Sequence, residues 1–454
     1  MKTRDLDNLP IAIIGGGAIG LAAAAQLLTK GERFTLFESG ETVGASILEW
    51  GHVKMFSPWQ YNIDQAANTL LKQTGWTSPN LDDIPTGRQL VEEYLLPLSN
   101  IPEISKNIVT NAKVVGVVRK GMDKLKTLKR EEAPFQLYVE IKEETKVYEV
   151  KAVIDASGTW KNPNPVLSNG LWTNSEKKLS NRIYYGIPNV LEDLKNRYKN
   201  KKVMVVGSGH SAINAILDLA QLKEMYNQTT VYWVLRKANI SQVYGGQDQD
   251  GLPARGQLGI RIRKLVESGQ INIITPFHIS KLTENDELIS VGGDLNGEET
   301  TIHGIEEIIV STGFRPDTSF LNEIRINLDS AVESVDSLAP LIDPNIHSCG
   351  TVRPHGEAEL RQIEKDFYIV GMKSYGRAPT FLLATGYEQV RSVVAYLTGD
   401  YKGAKEVHLV LPETGVCSVN RVAERNTCNS DSLNEESGSC CGEIKVTINK
   451  TSCC

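Results

Sequence analysis

Cysteine is almost missing from the body of the chain. Of seven, only Cys349 lies in the first 416 of 454 residues, and the other six fall between Cys417 and Cys454. A secreted disulfide scaffold spreads its cysteines through the fold, so the body reads as a cytoplasmic enzyme of a reducing compartment. Positive charge is not in excess: 49 Lys and Arg against 55 Asp and Glu leave a net charge of −6. That excludes non-specific nucleic-acid binding but leaves room for a local basic pocket. The seven histidines show no HExxH spacing, which argues against a catalytic metal in the body. No secretory leader is expected, because Met1 to Pro10 mixes Lys2 and Arg4 with Asp5 and Asp7. The longest uncharged run, Ile11 to Leu28, contains Gly15, Gly16, Gly17 and Gly20 and has a better reading than a membrane span.

What is present is an ordinary globular composition, 41% apolar and 23% charged, at a length that suits two to three domains. Ile11-Ala12-Ile13-Ile14 is a buried-strand pattern. It runs into Gly15-Gly16-Gly17-Ala18-Ile19-Gly20, a helix predicted over Leu21 to Lys30, and a second strand Phe34 to Phe37 that ends in Glu38. In this dinucleotide fingerprint Gly15 makes the tight turn, Gly17 admits a pyrophosphate, and Gly20 lets helix and strand pack. The helix N-terminus, with Ala18 in the turn before it, offers free N–H groups to the phosphates, and Glu38 accepts from ribose hydroxyls. The pattern recurs. Lys202 to Val206 leads into Gly207-Ser208-Gly209-His210-Ser211-Ala212, a helix to about Leu222 and a strand Val231 to Leu235. This second strand ends in Arg236-Lys237, which suits a 2′-phosphate where an acid would repel it. The first cradle therefore fits FAD and the second NADPH, although Arg236 and Lys237 also read as solvated strand-end cations.

Two further strand-and-turn joints stand at Val153-Ile154-Asp155-Ala156-Ser157-Gly158 and Ile308 to Val310 followed by Ser311-Thr312-Gly313-Phe314. With both cradles, they make the chain resemble, over about residues 9–400, the flavin-containing, NADPH-dependent (group B) monooxygenases and related two-dinucleotide-binding-domain flavoproteins. The resemblance implies an α/β fold of two Rossmann-like domains, the NADP domain (165–312) inserted into an FAD domain (1–164 and 313–410). A flexible cysteine-rich tail (411–454) follows. It implies a returning strand over Asp366 to Lys373 that brings Gly371 and Lys373 to the flavin, and a helix from Ala378 to Leu397. Ser157, Gly158 and Gly313 would also touch the cofactors. The implied reaction is reduction of flavin by NADPH, uptake of O2, and transfer of one oxygen from a peroxyflavin to a small nucleophilic substrate. One departure bears on the oxygen step: after Tyr184, Tyr185 and Gly186, Val190 stands where the monooxygenase fingerprint has a histidine. An NADPH reductase or oxidase without oxygen transfer is the alternative. Disulfide reductases of similar architecture need a CxxC beside the flavin, and the body has none.

Trp50 to Trp59, with His52, Lys54 and Ser57, reads either as a lid facing flavin or substrate or as an aromatic core segment. His52, Ser57 and Arg315 are the catalytic candidates. His210 and Ser211 lie in the second cradle, and Arg255 either reaches the 2′-phosphate or is a surface cation. In the tail, Leu411 to Gly415 spells a sorting signal without the apolar segment such a signal needs. Adjacent Cys440-Cys441 and Cys453-Cys454 favour chelation of a soft ion such as trivalent arsenic over a strained ring disulfide. Here the chain looks like the flavin monooxygenase of arsenic-resistance gene clusters. A reduced tail without a ligand, a thiol relay to the flavin, or a metalloid-binding protein are the other readings, and self-association is left open.

Overall fold

The computed structural model describes residues 6–346, 352–379 and 381–409. The uncharged run near the start divides at the glycines into strand β1 (Ile11–Ile14), buried at every position, and helix α1 (Ala18–Thr29). The helix begins three residues earlier than the sequence predicts, because Gly17 is already its extended N-cap. Its alanines favour helix and present a low surface, so α1 is buried nearly all round. No helix among the described residues is long and apolar enough to cross a membrane.

β1 pairs in parallel with β2 (Phe34–Phe37) on one side and β7 (Ala152–Asp155) on the other, Ile11 lying opposite both Phe34 and Ala152. β3 (Ile108–Val109) and β16 (Phe367–Ile369) complete a five-stranded sheet in the order β16-β7-β1-β2-β3. An antiparallel meander of β4 (Ala112–Arg119), β5 (Phe135–Ile141) and β6 (Glu144–Val150) precedes β7. The plan repeats in a second parallel sheet. It is ordered β11-β10-β9-β15-β8, from β8 (Ile183–Tyr185), β9 (Lys202–Val206), β10 (Thr230–Val234), β11 (Asn272–Ile274) and β15 (Glu307–Val310). Its own meander, β12 (Phe277–Asn285), β13 (Leu288–Leu295) and β14 (Glu298–Ile305), again comes just before the fourth strand of the Rossmann order. Because β16 returns to the first sheet after β15, the second Rossmann-like unit is inserted into the first.

The core divides accordingly. One apolar cluster surrounds the first sheet with α1 and the C-terminal helix, and two others cover opposite faces of the second sheet. The second cradle's helix α2 (His210–Met225) runs three residues beyond the predicted end, and α3 (Pro253–Glu267) opens on a proline, which suits a first helical turn. The return segment differs from its expectation. β16 is only three residues long, Gly371–Tyr375 forms a 3-10 turn, and helix α4 (Leu383–Leu397) starts five residues late. Gly376, at φ 59°, and Pro379 keep the intervening chain out of helix.

The two chain crossings between the sheets lie side by side. Asn164 N–H donates to Gly313 C=O at 2.9 Å and Arg315 N–H to Asn162 C=O at 2.8 Å, with Pro163 and Phe314 bridged antiparallel. Side chains reinforce the ribbon: Asn164 Nδ2 donates to Thr312 C=O at 3.0 Å, and Arg315 Nε donates to Asn164 Oδ1 at 2.8 Å.

Candidate cofactor sites and the domain junction

The first cradle forms where β1, its glycine turn and α1 meet β7. Gly20 cannot be replaced without moving backbone, since a Cβ there would lie 1.9 Å from Gly15 O. In front of Gly17, by contrast, no atom lies within 4 Å of such a Cβ, and no side chain caps the N-terminus of α1. Open space over an uncapped helix start fits a dinucleotide pyrophosphate. Glu38 is buried at the end of β2, with Oε2 accepting Gly16 N–H at 2.6 Å and Oε1 accepting Gly40 N–H at 2.7 Å. Oε1 also accepts from Ser39 Oγ at 3.4 Å, which leaves Oε2 with the spare lone pair for a ribose hydroxyl.

The second cradle repeats this geometry. Gly207, at φ 137°, touches the end of β15, where a Cβ would meet Ser311 O at 2.3 Å. Gly209 faces open space and caps α2 without a side-chain bond. Ala212 takes the third small position and is fully buried. His210 and Ser211 open α2, and the His210 ring packs edge-on against Phe56 of the Trp50 to Trp59 segment, 5.0 Å between centroids. Burial, and then the positive charge of Arg255, lowers the His210 imidazole to about 4, so it is neutral near pH 7. Arg236 and Lys237 follow β10 and are exposed; Arg236 Nη1 reaches Ser168 C=O at 3.4 Å.

Several expected site residues have other commitments. Ser57 is 4% exposed and donates to Asn62 Oδ1 at 2.8 Å, while Asn62 Nδ2 returns a 2.7 Å bond to Ser57 C=O. It closes its own loop and presents no hydroxyl to a reactant. Arg255 forms a bidentate pair with Asp250, both contacts at 2.8 Å, and its charge is felt by His210 in the second cradle. Lys373 is wholly buried, 2.6 Å from Asp155 Oδ2 and 3.0 Å from Ser157 Oγ. It ties the return segment to the turn after β7 with its ammonium. Gly371 N–H is likewise taken, by Gln389 Oε1 of α4 at 2.7 Å. Arg315 belongs to the crossing ribbon. Gly158 and Gly313, both at positive φ, shape the two turns.

The segment Trp50 to Phe56 lies at the junction. Trp50 lies 6.3 Å from Trp160, and Trp160 stacks on Phe314 at 4.6 Å beside the ribbon. Glu49 accepts from Trp160 Nε1 at 2.8 Å and pairs with Lys161. His52 is turned toward the inserted domain: burial lowers its basicity, against the pull of the Pro188 carbonyl and the Asp193 and Glu192 carboxylates. Its Nε2 is buried without a hydrogen-bond partner. Asp155 and Gln389, which sequence reasoning missed, organise the return segment. Only Asp155 gave a signal, as an acid closing an apolar strand. The tail candidates Cys440, Cys441, Cys453 and Cys454 lie outside the described residues.

Residues 12–336 match the family described as pyridine nucleotide-disulphide oxidoreductase. The chain belongs to that family. A relative, the ferredoxin–NADP reductase of Lactobacillus gasseri, is 24% identical over 359 residues, covering 76% of this chain and 86% of that protein. Among solved structures, bacillithiol disulfide reductase Bdr from Bacillus cereus matches at a TM-score of 0.61 and 19% identity, covering 86% of this chain and 99% of its own. The FAD-bound cadaverine monooxygenase DfoA from Erwinia amylovora matches at 0.60 and 11%, over 89% and 98%. At these identities the structures establish the shared fold, which this family member carries with two dinucleotide cradles.

Proposed function

We propose that this family member is an FAD- and NADPH-dependent oxidoreductase that transfers one oxygen atom of O2 to a small nucleophilic substrate. The observation that carries the cofactor pair is the contrast between the ends of the equivalent strands: buried Glu38 after β2, exposed Arg236 and Lys237 after β10. An acid suits an unphosphorylated ribose, and a guanidinium suits a 2′-phosphate. Bound flavin would supply the capacity to accept hydride from nicotinamide and to reduce O2. The protein's own residues do the rest. The amides opening α1 and α2 hold the two pyrophosphates. The segment Trp50 to Phe56, packed through Trp160 on the ribbon and through Phe56 on His210, excludes water from the junction.

Oxygen transfer balances as substrate, O2, NADPH and a proton giving oxygenated substrate, water and NADP+. It is favoured over disulfide chemistry by the cysteine count, since residues 1–416 hold Cys349 alone and no CxxC pair. The relatives include a protein named as a cadaverine monooxygenase. Trivalent arsenic, gathered by the paired tail cysteines, is the substrate or cargo this reading favours, because adjacent thiolates chelate soft ions. A second reading has its own observation: Val190, at the histidine position of the monooxygenase fingerprint, is fully buried in the inserted domain's core. On that reading NADPH reduces the flavin and O2 leaves as hydrogen peroxide. The deciding experiment supplies NADPH and 18O2 with candidate soft nucleophiles, arsenite among them. Substrate-dependent NADPH oxidation with 18O in the product supports oxygen transfer, and stoichiometric peroxide with no labelled product supports the reductase. Loss of arsenite binding on deleting residues 416–454, with turnover unchanged, assigns the metalloid to the tail.

A further inference from the structure

Beside the domain junction two guanidinium groups from separate segments share a single carboxylate, and a third lies against the same turn as one of them. Arg315 of the crossing ribbon places Nη1 3.5 Å from Glu333 Oε1, and Arg377, just after the return turn, places its Nη1 3.9 Å from the same oxygen. Arg236, at the end of β10, joins through the turn Leu167–Gly170. Its Nη1 donates to Ser168 C=O at 3.4 Å, while Arg315 Nη2 would lie 3.2 Å from a Cβ on Gly170. Both arginines thus clasp one turn, itself closed by Gly170 N–H on Leu167 C=O at 3.0 Å.

The arrangement is held by backbone rather than by loose side chains. Arg377 N–H donates to Val332 C=O at 2.7 Å, and Gly376 packs so tightly on Glu333 that a Cβ would lie 2.3 Å from the Glu333 carbonyl carbon. One carboxylate against three cations leaves a surplus of positive charge at side chains that remain about one-third exposed, 32% for Arg315 and 39% for Arg377. Burial first, and then repulsion from Arg315 and Arg236 against the pull of Glu333, makes the Arg377 guanidinium less basic than usual. Like charges held together without a matching acid are stabilised when an anion completes the group. Planar guanidinium forks match phosphate oxygens.

We infer that Arg236, Arg315 and Arg377 form a phosphate-type oxyanion site shared between the inserted domain, the crossing ribbon and the flavin domain. The 2′-phosphate of NADPH is its ligand in turnover. This rests on the NADPH reading above and extends it, because Arg377 lies outside the inserted domain. Cofactor choice then depends on a residue contributed by the other half of the molecule, and binding the phosphate draws the two halves together.

The test uses the FAD-loaded full chain and reads binding by calorimetry, with adenosine 2′,5′-bisphosphate, adenosine 5′-monophosphate and inorganic phosphate as separate probes. The unsubstituted protein is expected to favour the bisphosphate over the monophosphate. Arg377→Ala should weaken the bisphosphate about tenfold and leave the monophosphate unchanged. Arg377→Lys should recover part of the loss, and Glu333→Gln should tighten the bisphosphate by removing the competing carboxylate. If Arg377→Ala lowers inorganic phosphate binding but not the bisphosphate preference, the oxyanion site stands and its ligand is a phosphate other than the cofactor's. If the unsubstituted chain shows no bisphosphate preference while phosphate binding still depends on Arg377, the NADPH reading fails and the anion site survives. Should neither Arg377→Ala nor Glu333→Gln, each melting as the unsubstituted protein does, alter any of the three affinities, the inference is overturned.

Discussion

Glu38 accepts a backbone N–H on each of its two oxygens before any ribose arrives. Glu38→Gln keeps the size but replaces one acceptor by a donor that faces an N–H. FAD affinity should fall about tenfold, measured by flavin retained after dialysis or by fluorescence titration. Among the buried titrating groups, His210 and Asp64 act in opposing senses. The folded-state pKa of His210, about 4, lies below its ordinary 6.5, so its contribution is complete above pH 6.5 and is lost as pH falls toward 4. Asp64 behaves in the opposite sense. Burial, partly offset by the Ala67 amide and Gln26, raises it from 3.8 to about 6, so its contribution is complete below 3.8 and is lost as pH rises through 6. Between pH 4 and 6 the two slopes cancel in part. Relative to the unsubstituted protein, His210→Gln should therefore shift the slope toward greater stability on acidification through that window, and Asp64→Asn should shift it toward greater acid loss. Each change amounts to at most about 1.4 kcal/mol per pH unit, read from urea midpoints at successive pH values.

At the scale of elements, the glycines of the two cradles divide into those that pack and those that leave room. Gly20→Ala drives a methyl into Gly15 O and should cost about 1–3 kcal/mol of stability. Gly209→Ala meets nothing within 4 Å, so it should melt as the unsubstituted protein does and lose affinity for NADPH. Thermal melts and nucleotide titration on both variants check the contrast. Lys373→Met leaves Asp155 buried without its cation and should cost about 3–5 kcal/mol, measured by urea unfolding. The cradles were legible because strand, glycine turn and helix are local in sequence, and a glycine's reason for being there is steric. The partners of Ser57, Arg255 and Lys373, which are Asn62, Asp250 and Asp155, were not legible because they are a matter of side-chain direction or of distant pairing. Lys373 meets Asp155 across 218 residues. No local pattern could signal that contact, nor the meeting of Arg377 with Arg315 over Glu333. The late start of α4 was readable in principle, from Gly376 and Pro379.

At the scale of the whole molecule, the repeated plan of sheet and meander made the insertion legible from two cradles and two strand-and-turn joints. What the sequence left hidden is how the units meet: Trp160 on Phe314, Phe56 on His210, and the hydrogen-bonded crossings. Asn164 carries much of this junction, donating to Thr312 C=O and accepting from Arg315 Nε. Asn164→Ala strips both side-chain bonds from a half-buried ribbon and should cost about 1–2 kcal/mol, measured by urea unfolding. The pairing of the crossings has a consequence for a severed chain. A protease that cuts one of them, say between Asn164 and Val166, frees no domain, because the neighbouring strand at 313–315 still tethers the same edge. The nicked protein should travel through a sizing column as one particle and separate into two pieces only in denaturant. Whatever swing the halves make is that of a door whose two hinge plates share one post.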